Sequence, residues 1–142
     1  MRGRSSFEYA VIRVVPRVER GEFINAGIVL YCRARSFLDT QIALDEARLR
    51  ALAPTADVAE IREHLAAFQR ICRGEPDAGP IGRLSQRERF HWLISPRSTV
   101  IQTSPAHAGL CHDPAAMLEH LMAAVVRPVA LPGDEAGEVS EK

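Results

Sequence analysis

Phe7-Glu-Tyr-Ala-Val-Ile-Arg-Val-Val15, Pro16-Arg-Val-Glu-Arg-Gly-Glu22 and Phe23-Ile-Asn-Ala-Gly-Ile-Val-Leu-Tyr-Cys32 form the run whose reading decides the fold. β-Branched and aromatic residues fill both flanks while Pro, Gly and charges fill the middle. The run therefore predicts two apolar strands around a charged connector. In the first strand Tyr9, Val11, Arg13 and Val15 share one face, and Ala10, Ile12 and Val14 the other. Pro16 ends that strand and Gly21 supplies a turn position. Gly27, inside the second strand, marks a bulge or a close backbone approach.

Working outward, Ala34-Arg-Ser36 turns the chain into a third strand, Phe37 to Leu44, which completes an antiparallel meander. Asp45 caps a short helix that runs to Leu52 before Pro54. Asp57 with Glu60 opens the clearest helix, on which Val58, Ile61, Leu65, Phe68 and Cys72 recur at helical spacing until Gly74. Gly74 to Pro80 reads as a loop. A second capping box, Ser85 with Glu88, opens a helix carrying Phe90, Trp92, Leu93 and Ile94. Thr99 to Thr103 reads as a fourth strand and Ser104 to His112 as a loop dense in polar groups. Asp113 and Pro114 start a last helix with Met117, Leu118, Leu121, Met122 and Val125 on its apolar side.

The expected fold class is α+β: a mainly antiparallel sheet of about four strands, three in the meander and one later, packed with the two main helices at Asp57 and Asp113. These are expected to cover at least one face. At 142 residues the chain suits one domain, 7–128, between a disordered start, 1–6, and a disordered acidic tail, 129–142, that carries Asp134, Glu135, Glu138 and Glu141.

Composition narrows the function. The hydrophobic fraction is 46% and the charged fraction 25%, as in soluble globular proteins. A formal net charge of +0 makes nucleic acid an unlikely partner. No apolar run reaches bilayer length and the start lacks a signal-peptide core, so a cytoplasmic protein with no membrane partner is expected. Cys32, Cys72 and Cys111 are an odd number on three separate elements, which fits reduced thiols. Phosphate-binding glycine loops, nucleophile elbows, Cys-x-x-Cys pairs and kinase motifs are missing, and no cofactor is indicated.

Several residues still carry chemical potential. Arg13 is either an arginine whose stem covers apolar surface or one aimed at an anion in a cleft. Glu22 and Asn25 either serve the turn, Asn25 in a left-handed conformation, or project from a bulged strand entry into that cleft. His107, Cys111, His112 and Asp113 have zinc-compatible side chains, but their spacing matches no zinc motif, so no metal is expected. Arg97-Ser98-Thr99 with Ser104, His107 and Gly109 could line an anion pocket, although Asp113 would compete for the same helix amides. Glu22 or Glu19 with His107 would supply an acid/base pair, with Arg97 or Arg13 stabilising negative charge. The catalytic candidates are thus Glu22, Arg97 and His107, and the ligand-binding candidates Arg13, Asn25, Ser98 and Ser104.

Tyr9-Ala-Val-Ile-Arg-Val-Val-Pro16, Arg20-Gly-Glu-Phe-Ile-Asn-Ala-Gly27, Arg97-Ser-Thr99 and Ser104-Pro-Ala-His-Ala-Gly109 resemble the bacterial domain-of-unknown-function family 3037, and the resemblance covers Phe7 to Pro128. It brings no activity, cofactor or catalytic residue with it. It implies a role beside a HipA-like kinase, as partner or regulator. The leading expectation is a binding or adaptor module with a protein partner, and a homo-oligomer is to be expected if one sheet face is left apolar and open. The rival is a small enzyme acting on a phosphorylated or nucleotide ligand through an Arg/Glu/His cleft.

Overall fold

The computed structural model describes residues 3–128. Its centre is one antiparallel sheet of five strands, β1 (Ser5–Val14), β2 (Ile24–Cys32), β3 (Phe37–Ile42), β4 (Ile101–Thr103) and β5 (His107–Cys111). The order is β3-β2-β1, with β4 and β5 end to end along the remaining side of β1. The helices are α1 (Glu46–Leu52), α2 (Val58–Arg73), a single turn α3 (Gly79–Gly82), α4 (Gln86–Leu93) and α5 (Pro114–Leu121), which runs on into a π-helical turn at Met122–Val126.

The α+β class and the antiparallel sheet hold, and the meander is present. Several details differ from expectation: the stretch read as a loop from Gly74 to Pro80 holds a 3-10 turn at Pro76–Ala78 and the start of α3. The polar stretch after Ser104 contains the fifth strand, hidden because His107-Ala-Gly-Leu-Cys111 lacks β-branched residues. The main helices also lie on opposite faces, giving three layers. Ala10, Ile12 and Val14 of β1 and Val29 and Tyr31 of β2 pack under α1, α2 and α4. Phe7 and Val11, with Ile28, Leu30 and Cys32, pack under α5. Strand β2 is thus apolar on both sides, which explains its continuous hydrophobic run. β1 begins at Ser5, inside the segment expected to be frayed, while the acidic tail lies outside the described residues.

Helix ends follow their caps. Asp45, Asp57 and Asp113 each accept a backbone N–H of the first turn, and Ser85 with Glu88 forms the full reciprocal box. Arg89 braces the end of α2 from α4, donating to the Cys72 and Leu84 carbonyls at 3.3 and 2.6 Å. Among the described residues no helix is long and apolar enough to cross a membrane.

The β1/β2 register slips between Ile12 and Arg13, so that Gly27 faces Ile12 and Asn25 faces Arg13, with Ala26 as the extra residue. A Cβ on Gly27 would lie 2.5 Å from the Gln41 carbonyl oxygen and 3.2 Å from Ile12 Cδ1. Neither neighbour is free to withdraw. Gly27→Ala should therefore lower stability by about 1–3 kcal/mol in urea denaturation, whereas Gly3→Ala, which meets nothing within 4 Å, should stay within about 0.5 kcal/mol of wild type.

Candidate functional site

Thr103 lies opposite Ile12 and His107 opposite Tyr9, so three steps along β1 are matched by four along its partner. Ser104 absorbs the mismatch. Its N–H donates to the Val11 carbonyl at 2.9 Å, and its Oγ accepts the Val11 N–H at 2.9 Å and donates to the Pro105 carbonyl at 2.9 Å. The residue is 2% exposed, so its hydroxyl is wholly occupied in replacing a strand carbonyl. Val11 and Val15 both bond toward this side of β1. By alternation, Gly109 and its neighbours two residues away bond inward, and Ala108 and Leu110 turn their backbone groups to the outer edge.

On the α5 side of the sheet, Asn25, Arg13 and Gln102 form one row across β2, β1 and β4. The Arg13 guanidinium lies over the ring of Phe23, 4.2 Å from its centroid. Arg13 Nε is buried and has no hydrogen-bond partner. Asn25 donates to the Val125 carbonyl at 3.2 Å, closing the π-helical turn onto the sheet, and Gln102 donates to the Thr99 carbonyl at 2.9 Å. Asn25 is an ordinary strand residue, since Ser36 is the non-glycine residue with positive φ among those described. Two rows along, Tyr9 and His107 face each other with ring centroids 5.2 Å apart. The helical cover of this face is centred on β2 and β3 and also buries Phe7 and Val11 of β1. Tyr9 and Arg13 are half-buried, His107 is exposed and Phe23 is 44% exposed.

The proposed catalytic trio is not assembled. Glu22 sits on the exposed connector beyond the end of β1, paired with Arg20 at 2.7 Å, and the Arg20 guanidinium holds its carboxyl below the usual range. Glu19, the alternative carboxylate, pairs likewise with Arg17 at 3.1 Å. Arg97 belongs to the opposite layer: it stacks on Trp92 at 4.1 Å and donates to the Trp92 and Leu93 carbonyls, closing the end of α4. Partial burial there pushes its pKa down. His107 lies level with Tyr9, about 13 Å along the strand from Arg13. Ser98 is exposed in the loop before β4. Arg13 and Asn25 are the candidates brought together, and Phe23 and Gln102 join them. Sequence reading missed these two because Gln102 meets Arg13 only through the long-range β1/β4 register, and Phe23 only through the bulged β1/β2 pairing.

The zinc-compatible residues also separate. Asp113 caps α5, Cys111 is buried under that helix, and His107 and His112 are exposed. Among the described residues no three His, Cys, Asp or Glu side chains gather as a metal site. Burial, then Asp39, pushes the Cys72 thiol up to about 12. Burial, followed by its neighbour Cys32, raises Cys111.

A family model described as Protein of unknown function (DUF3037) matches residues 9–126, from Tyr9 through the π-helical turn. The chain belongs to this family. The DUF3037 match takes in the Arg13 row, the Ser104 jog and all five helices. Neither the curated proteins nor the solved structures provide a match.

Ser104→Ala leaves the buried Val11 N–H without an acceptor and should cost about 1–3 kcal/mol by urea unfolding. Iodoacetamide at pH 8 should leave Cys72 unlabelled in the native DUF3037 chain and label it once urea unfolds the core, as mass spectrometry of the digested protein would record.

Proposed function

We propose that the protein is a binding module whose less covered half-face, at Arg13 of β1 and along β4 and β5, receives a protein partner through a carboxylate laid against Arg13. The observation that carries this reading is the Arg13 guanidinium: held flat by Phe23, half-buried, and without an acceptor of its own. A buried guanidinium N–H left unpaired costs about 1–3 kcal/mol or more, so a carboxylate that reaches Nε as the Phe23 ring shifts aside relieves that cost. The surroundings suit a protein better than a small molecule. The row lies on a sheet face flanked by the half-exposed Phe23 ring, beside an edge whose outward backbone groups at Ala108 and Leu110 can take an added strand.

The family resemblance makes a HipA-like kinase the first partner to try. The enzyme reading would need Glu22, Arg97 and His107 around one cleft, and their positions give it no support.

The test is affinity purification from the host, comparing wild type with Arg13→Ala and Arg13→Lys. A stoichiometric co-purifying protein should be reduced at least about tenfold by Arg13→Ala and partly by Arg13→Lys, which keeps the charge and loses the fork. Gln102→Arg, which crowds the same row without removing Arg13, should also weaken capture. Unchanged recovery with all three variants would overturn the reading.

A further inference from the structure

A second surface lies in the opposite layer, away from the Arg13 row. There Phe7, Glu8, Tyr31, Arg33, Arg87 and His91 are among the residues lining a cleft of about 330 Å³ on the α4 side of the sheet. Its floor is the end of the sheet, where Glu8 stands between Tyr31 of β2 and Ala108 of β5. One bank is the β2–β3 turn carrying Arg33 and the other is α4 carrying Arg87 and His91 a helical turn apart. Gln86 Nε2 donates to the Ser36 carbonyl at 3.0 Å, which ties the start of α4 to that turn and fixes the two banks together.

Exposed arginines without a protein partner, such as Arg48 and Arg83, occur elsewhere on this chain. Arg33 and Arg87 are set apart by lining one cleft together, and neither pairs with Glu8, which lines the same space. Two free guanidinium forks on facing banks present more donors than one carboxylate can use, and they match the several oxygens of a phosphoryl group. Glu8 repels such a group and accepts only hydroxyl or amine protons. The cleft is larger than a lone oxyanion needs and lies at the lower end of the roughly 300–1,000 Å³ of small-molecule sites.

We infer that this cleft binds a small phosphorylated polyol, with the phosphoryl group between Arg33 and Arg87 and a hydroxyl of the same ligand donating to Glu8. The site lies on the other face of the sheet from the Arg13 row and meets the partner surface at Ala108; the inference does not depend on that partner.

Ribose 5-phosphate is the probe, titrated calorimetrically into the full chain beside inorganic phosphate and phosphoserine. Saturable binding of ribose 5-phosphate is expected, weakened at least about tenfold by Arg33→Ala and by Arg87→Ala. Both side chains are exposed, and unchanged melting curves would show that the variants fold. Glu8→Gln should move the two ligands in opposite directions, weakening ribose 5-phosphate and strengthening inorganic phosphate, which a merely structural Glu8 would not do. The site is overturned if ribose 5-phosphate fails to saturate or binds undiminished to both arginine variants. The polyol assignment is overturned if phosphoserine binds equally well and Glu8→Gln leaves ribose 5-phosphate unaffected.

Discussion

The paired bonds between Val11 and Ser104 are the constraint on which the arrangement of this protein depends. β1 has to satisfy backbone groups on both sides while burying side chains on both faces, and an unpaired amide in that position would be costly. Its inner side is met by β2 from Glu8 to Val14. Its outer side is met by two short strands that do not share one register, and the Ser104 hydroxyl stands in for a carbonyl where they join. That substitution lets β4 hold the Arg13 end of β1 and β5 the Phe7 end. It also lets the Phe7 ring lie over Gly109, where any Cβ would come within 2.9 Å of it.

The division of the sheet follows. Helices α1, α2 and α4 bury one face, and α5 covers the other, centred on β2 and β3. What remains is a half-face on which polar groups meet an aromatic ring. Arg13 is kept in place by stacking, Asn25 closes the turn that ends the covering helix, and Gln102 is held by its own loop. Asn25 and Gln102 thus spend a donor on protein carbonyls, while the Arg13 Nε–H has no acceptor among the described residues.

Much of the fold was legible because its signals are local. The Asp57 helix with its Ile61, Leu65, Phe68 and Cys72 stripe, the Ser85–Glu88 box and the Asp113-Pro114 start each follow from a few neighbouring residues. The bulge at Gly27 was legible for the same reason. β5 was not, because its residues have weak strand propensity and it exists through pairing with Ser5 to Tyr9. The site divides in the same way. Alternation along β1 placed Arg13 beside Tyr9 and Val11, but whether Arg97 and His107 share a face depends on register and layer. Arg97 proves to brace α4, and Ser104 to splice the edge.

Hydrogen–deuterium exchange compares most directly the free chain with the chain recovered from its host in complex. If the half-face around Arg13 is the recognition surface, added protection should fall on Ile101–Cys111 and on the segment at Phe23, with the α2 and α4 layer unchanged. Added protection confined to that opposite layer, or a stable complex with none at β4 and β5, would contradict the account.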